Sequence, residues 1–175
     1  MGSRFRSRPD REPATGIAAN GLPRESVWDY PRPPRVEQLD RRVRVALGGE
    51  TIVDVPAALR VLETAGAPTV YVPPSSVASG ALRPAPGASH CEWKGAAVYF
   101  DVVAGGSRAK RAAWSYPSPS PGFSMLAGLV SFYPALVECR LGDELVQPQP
   151  GGFYGGWVTA EIAGPIKGEP GTLGW

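Results

Sequence analysis

Apolar and polar residues alternate along several short stretches of the chain, which is the pattern of half-buried β-strands. In the first stretch Val43, Val45 and Leu47 fall on one face of the predicted strand. Gly48 and Gly49 separate it from a second stretch, so the two are predicted to form a hairpin. Two further hairpins are predicted by the same reasoning. The predicted strands are residues 43–47, 51–55, 69–72, 96–103, 110–116, 129–133, 136–141 and 144–146.

Helices are expected to be few and short. Pro56 suits the first turn of a helix and Gly66 its end, so residues 56–63 are predicted as a short helix. Single helical turns are predicted within residues 75–82 and 125–128. The 22 glycines and 20 prolines among 175 residues argue against long helices. The predicted class is therefore mainly β: a small compact β-sandwich or open barrel of about seven or eight strands with one or two short helices.

The predicted strands fall within residues 40–146, which we interpret as one β domain between two arms. Residues 1–39 show no hydrophobic period and contain six prolines, which predicts an extended or partly disordered arm. In this arm Trp28 and Tyr30 are predicted to dock onto the domain or onto a neighbouring subunit. Residues 147–175 are rich in glycine, hold two tryptophans and are predicted to form a second arm.

The uneven distribution of charge and the absence of long apolar runs exclude several classes of function. Residues 1–44 hold 10 basic and 6 acidic side chains, whereas residues 45–175 hold 8 and 10. Because nucleic-acid binding needs a clustered positive face, no nucleic-acid partner is expected for the domain. No apolar run approaches the ~18–20 residues of a membrane span, so no membrane partner is expected. The two cysteines, Cys91 and Cys139, are too few for a disulfide framework, and a cytoplasmic location is expected.

The densest polar segment is residues 89–95, which is predicted to be a loop before a strand. It holds the only histidine, His90, beside Cys91, and an imidazole can activate a thiolate, so both are candidate catalytic residues. Neighbours in an extended chain point to opposite faces, however, and the alternative for both is a structural role. Lys94, next to Trp93, is a candidate anchor for a phosphate or carboxylate; the alternative is a solvated lysine. No metal site is expected, because no second histidine exists.

A second cluster lies where a predicted strand ends in aromatic residues before a proline-rich loop. Trp114 and Tyr116 share one face of this strand, and Ser115 lies opposite. With Tyr71 and Tyr99 they form either a pocket for a flat ligand, with the lysine and histidine of the first cluster at its rim, or an ordinary aromatic core. The candidate ligand-binding residues are Tyr71, Trp93, Lys94, Tyr99, Trp114, Ser115 and Tyr116.

Several segments, among them VALGGETI at residues 45–52, WKG at 93–95 and AWSYP at 113–117, are together similar to those of a small bacterial family called domain of unknown function 427. WDYP at residues 28–31 and GGFYGGW at 151–157 resemble its actinobacterial members. The resemblance implies a compact, largely β fold, possibly tent-like, with a ligand-sized groove and no established reaction. The family also carries a nucleotidyltransferase label, but this chain lacks the paired carboxylates and the glycine-rich phosphate loop of that chemistry.

Three functions are compatible with the sequence. The leading hypothesis is a domain that binds a small anionic or aromatic metabolite through Lys94 and the aromatic pocket, without a cofactor. The second is an enzyme of transferase or hydrolase type that uses His90 as acid and base or Cys91 as nucleophile. The third is a structural protein that forms a homodimer through its arms.

Overall fold

The computed structural model of the chain describes residues 10–172 and 174–175. This part of the chain is mainly β, as predicted, and its strands form five sheets. The first nine residues of the predicted extended arm lie outside the described range. The strands in chain order are β1 (Glu25–Ser26), β2 (Arg35–Leu39), β3 (Val43–Leu47), β4 (Glu50–Val55), β5 (Ala58–Leu62), β6 (Thr69–Tyr71), β7 (Leu82–Cys91), β8 (Gly95–Ala104), β9 (Ser107–Ser115), β10 (Val130–Phe132), β11 (Glu138–Leu141), β12 (Glu144–Leu145), β13 (Gln147–Pro148), β14 (Trp157–Val158) and β15 (Ile162–Ala163).

The helices of the described residues are three short 3-10 helices, at Val27–Asp29, Pro74–Ser76 and Pro121–Leu126. The second and third of these lie at or near the helical turns predicted within residues 75–82 and 125–128. None of the three is long and apolar enough to cross a membrane.

All eight predicted strands are present, as β3, β4, β6, β8, β9, β10, β11 and β12, and so are the three predicted hairpins. The expected total of seven or eight strands is nevertheless too low, since the described residues alone form fifteen. Four of the additional strands, β1, β13, β14 and β15, are only two residues long. Such short strands exist because irregular segments pair with distant parts of the chain, which a local hydrophobic pattern does not show.

The helix predicted over residues 56–63 is wrong. Ala58–Leu62 form β5, the central strand of a sheet in which β2 and β6 are its neighbours. On one face Arg60 forms an ion pair with Glu25, with an N–O distance of 2.6 Å. On the other face Val61 packs among buried aromatic rings. Because both faces and both edges of this strand are occupied, sheet pairing and burial outweigh the local preference for a helix.

The loop predicted over residues 89–95 is also wrong in part: it is reduced to a short turn at residues 92–94, because Leu82–Cys91 form the long edge strand β7 and Gly95 begins β8. Pro84 and Pro86 are tolerated there because an edge strand leaves half of its backbone groups unpaired. The pairing with β8 is interrupted by a bulge, in which Gly87 has a φ of 95°. Residues 89–91 therefore lie at the end of β7, next to the β7–β8 turn.

The strand β9 separates two clusters of buried side chains. Ala113 belongs to the main core, which lies between the sheet β10-β9-β8-β7 and the sheet β12-β11-β3-β4 and includes Val45 and Phe132. Trp114, the next residue, belongs to a second cluster rich in aromatic rings. Because successive side chains of a strand point to opposite faces, the second face of this sheet is aromatic.

The segment before β2 pairs with the segment after β14. β1 runs parallel to β15, and the Trp28 indole N–H donates to the carbonyl oxygen of Pro165 at 2.9 Å. Val27 and Tyr30 are buried against Leu62 of β5. Residues 25–30 therefore pack against β5 and β15 of the same chain.

Candidate functional site

A cavity of about 600 Å³ lies on the aromatic face of β9. Its volume falls within the range of roughly 300–1,000 Å³ that is usual for small-molecule sites. The walls come from β5, β6, the β7–β8 hairpin, β9 and the segment that follows β13. Seven of the nine predicted site residues line it: Tyr71, His90, Cys91, Lys94, Tyr99, Trp114 and Tyr116.

The other two predicted residues, Trp93 and Ser115, do not belong to the lining. Ser115 is buried on the face of β9 opposite Trp114, in agreement with the alternation of the strand. Trp93 is half-buried and packs against the aromatic cluster from the β7–β8 turn. Trp93 therefore packs beside the cavity, and Ser115 faces away from it.

The floor of the cavity is a set of aromatic rings in mutual contact. The Trp114 indole N–H donates to the Tyr71 hydroxyl at 3.2 Å, and the Trp114 ring packs on Tyr133 with a centroid separation of 4.6 Å. Burial, the largest cause, raises the pKa of Tyr71 to about 12, so its phenol is neutral at physiological pH. The floor is therefore apolar, uncharged and held in place by its own contacts.

Lys94 is a buried charged residue at the edge of this floor. The β7–β8 turn places it there: Gly95 closes the turn with a φ of 100°, and the Lys94 carbonyl accepts a hydrogen bond from the Ser120 amide. Only 8% of the residue is exposed, and its ammonium lies 5.7 Å from the centroid of the Tyr116 ring. In the described part of the chain it forms no ion pair. Since a buried charge is unfavourable unless it is paired, Lys94 is suited to an anion that enters the cavity.

Three further cations line the cavity that the sequence did not single out: Lys110, Arg111 and Lys167. The chain contains three lysines in all, and every one of them is in this lining. Lys110 and Arg111 are exposed, and the Arg111 guanidinium lies over the Tyr99 ring at 4.1 Å. The scarcity of lysine is the only signal in the sequence, because the three positions are far apart along the chain.

Lys167 comes from the segment after β15 and is half-buried. Its ammonium lies 5.0 Å from the Tyr154 ring centroid. Burial, the largest cause, lowers the pKa of Lys167; Glu63 raises it, and the positive charges of Arg32 and Lys94 lower it further. Lys94 and Lys167 are therefore close enough for their charges to interact.

The burial of Lys167 predicts a pH dependence of stability. Its folded-state pKa is below the ordinary value of 10.5, so folding disfavours the charged form, and this penalty is complete below the folded-state pKa. As the pH rises from there towards 10.5, the folded protein releases the proton first and the penalty falls. The free energy of unfolding of the wild type minus that of Lys167→Met is therefore expected to rise over this alkaline range.

Urea denaturation of both proteins at several pH values measures this difference. Lys110→Met, which removes an exposed lysine from the same cavity, is the matched control and is expected to show a smaller change. A difference for Lys167→Met that stays flat or falls with pH would contradict the prediction.

His90 and Cys91 both line the cavity, His90 exposed and Cys91 half-buried. Neither side chain makes a hydrogen bond to another described residue, so the geometry joins them to no base or orienting group. Over the residues that the structure covers, no three His, Cys, Asp or Glu side chains come together in a way that could hold a metal ion. The acid–base and nucleophile roles of the pair stay predictions.

A family model for a domain of unknown function, DUF427, matches residues 35–142. The chain belongs to the DUF427 family. The DUF427 region spans the strands from β2 to β11 and contributes the aromatic floor and Lys94. The segment that supplies Phe153, Tyr154 and Lys167 lies after the matched region. Comparison with curated proteins gave no match.

Proposed function

We propose that this DUF427 protein binds a small anionic metabolite in the cavity on the aromatic face of β9. One observation carries the proposal: the three lysines of the chain converge on a single cavity, and the most buried of them, Lys94, has no acidic partner within the described chain. The cations outnumber the acids, because Glu63 is the one acidic residue of the lining. An anionic ligand would compensate this charge.

The aromatic floor supports the same function. Tyr71, Trp114 and Tyr116 present a neutral apolar surface, and such surfaces contribute most of the contact area in small-molecule sites. A few charged groups beside an apolar surface fix the orientation of a ligand. This division of roles fits a binding domain for a metabolite with one charged end.

Mass spectrometry of small molecules retained through gentle purification identifies the ligand. The affinity of the recovered compound is then measured for the wild type, Lys94→Met and Lys110→Met. A hydrogen bond to a charged group contributes roughly 1.5–3 kcal/mol, so Lys94→Met is expected to weaken binding by about tenfold or more. Lys110→Met is expected to have a smaller effect, because Lys110 is exposed and its charge is screened.

Thermal denaturation verifies that Lys94→Met remains folded, and methionine keeps the apolar stem of the lysine. Equal affinity of the compound for the wild type and Lys94→Met would refute Lys94 as the anion anchor. Equal losses in both lysine variants would indicate general electrostatic attraction in place of a defined site.

A further inference from the structure

The buried end of the cavity carries one unbalanced positive charge. Lys94 is buried, and Lys167 and Glu63 are half-buried nearby. Glu63 interacts with Lys167, and Lys94 forms no ion pair among the described residues, so a single positive charge is left without compensation at this end. Lys110 and Arg111 also line the cavity, but both are exposed, so solvent screens their charges. A group with one negative charge neutralises the buried end, whereas a dianion would leave an excess of negative charge.

The lining of the cavity also includes an exposed aromatic ring. Phe153 is 77% exposed, although it belongs to the lining, and its ring meets that of Tyr154 edge-on at 5.2 Å. Tyr154 in turn lies under the Lys167 ammonium. Contacts therefore connect the exposed Phe153 ring, through Tyr154, to the half-buried Lys167 ammonium.

Phe153 is held over the cavity by a loop with fixed ends. The backbone N–H of Gln149 donates to the Gly156 carbonyl oxygen at 3.1 Å, which closes the loop at its base. Inside the loop, a Cβ on Gly151 would contact the Gly168 carbonyl oxygen, and a Cβ on Gly155 would overlap the Trp114 ring. The loop thus packs closely at both ends, while Phe153 inside it lines the cavity and stays exposed.

We propose that the ligand is a flat aromatic carboxylic acid, bound with its carboxylate at Lys94 and its ring against Phe153 and Tyr154. This inference rests on the proposed function and narrows it to a ligand class and an orientation. A carboxylate matches the single unbalanced charge. An aromatic ring matches the exposed ring of Phe153, since ring pairs gain affinity beyond that of area burial.

Four probes that differ in one feature each test the proposal by calorimetry on the full chain. 2-Naphthoate has both features, 2-naphthamide lacks the charge, decahydro-2-naphthoate lacks the aromatic ring, and 2-naphthyl phosphate is a dianion. 2-Naphthoate is expected to bind most tightly, by about tenfold over the amide and by about three- to tenfold over the saturated acid.

Two variants connect these preferences to their residues. Lys94→Met is expected to remove the preference for 2-naphthoate over 2-naphthamide and to leave the preference for the aromatic over the saturated acid. Phe153→Leu keeps an apolar side chain without a ring. It is expected to reduce the preference for the aromatic over the saturated acid, because Tyr154 remains, and to leave the preference for 2-naphthoate over 2-naphthamide unchanged. Because Phe153 is exposed, this variant is not expected to alter folding.

The outcomes separate this inference from the proposed function. If 2-naphthyl phosphate or decahydro-2-naphthoate binds more tightly than 2-naphthoate, with the same dependence on Lys94, the ligand is not an aromatic carboxylic acid. The proposed anion-binding function would still hold. Failure of all four probes to bind, while the compound recovered by purification binds through Lys94, would also overturn this inference alone. If that compound too binds Lys94→Met as well as the wild type, both proposals fail.

Discussion

Replacement of Trp157 by alanine is expected to lower the free energy of unfolding by about 3–5 kcal/mol, the usual cost of deleting a buried large aromatic side chain. Trp157 is among the largest fully buried side chains of the described chain and packs in the main core. Its indole N–H donates to the Phe132 carbonyl at 2.9 Å, and its amide donates to the Pro68 carbonyl at 2.7 Å. The substitution therefore leaves a cavity and removes a hydrogen bond from a buried carbonyl.

Urea denaturation measures this loss, and Phe153→Ala is the matched control. Phe153 is an aromatic residue of the same segment but is exposed, so its removal is expected to change stability by no more than about 0.5 kcal/mol. A loss of stability for Trp157→Ala as small as that for Phe153→Ala would show that residues after 146 do not share the main core. A large loss for Trp157→Ala alone shows that they complete it.

The strands that were predicted correctly carry their signal in their own residues. In β3, Val43 and Val45 are buried and Arg44 is half-buried, and in β9 Trp114 and Ser115 lie on opposite faces. One face of β3 meets the main core, and the two faces of β9 meet different buried clusters, so alternation along the sequence reports the structure directly.

The wrong predictions concern strands that are decided by pairing with other parts of the chain. Residues 58–62 are a strand because β2 and β6 lie on either side of them, and Arg60 has its ion-pair partner Glu25 far back in the chain. β7 contains two prolines but is stabilised by long pairing with β8, which follows it after a short turn. The hydrophobic patterns of β5 and β7 themselves do not report this pairing.

The candidate site likewise contains residues that the sequence predicts and residues that it does not. Lys94, Trp114 and Tyr116 were found because they stand in dense polar or aromatic runs, and the resemblance to the family lies in the same runs. Lys167 and Phe153 reach the cavity only through the course of the chain after β13. Their contribution depends on close packing at glycines, which composition alone does not locate.

Gly155→Ala is expected to lower the free energy of unfolding by about 1–3 kcal/mol and to weaken ligand binding, because it overpacks the cavity wall. An alanine Cβ at this position would overlap the Cη2 atom of Trp114. The Trp114 ring has little freedom to move, since its N–H is bonded to the Tyr71 hydroxyl and its face packs on Tyr133. Either the ring leaves these contacts or the loop lifts away, and both changes alter the cavity.

Gly152→Ala provides the control within the same loop, because a Cβ there meets nothing within 4 Å. It is expected to change stability by no more than about 0.5 kcal/mol. Urea denaturation and the affinity for the recovered compound are measured for both variants. Loss of stability and affinity in Gly155→Ala but not in Gly152→Ala indicates that contact between this loop and Trp114 shapes the site. If the two variants behave alike, the loop does not depend on that contact, and the segment after the family match contributes less to the cavity than its packing implies.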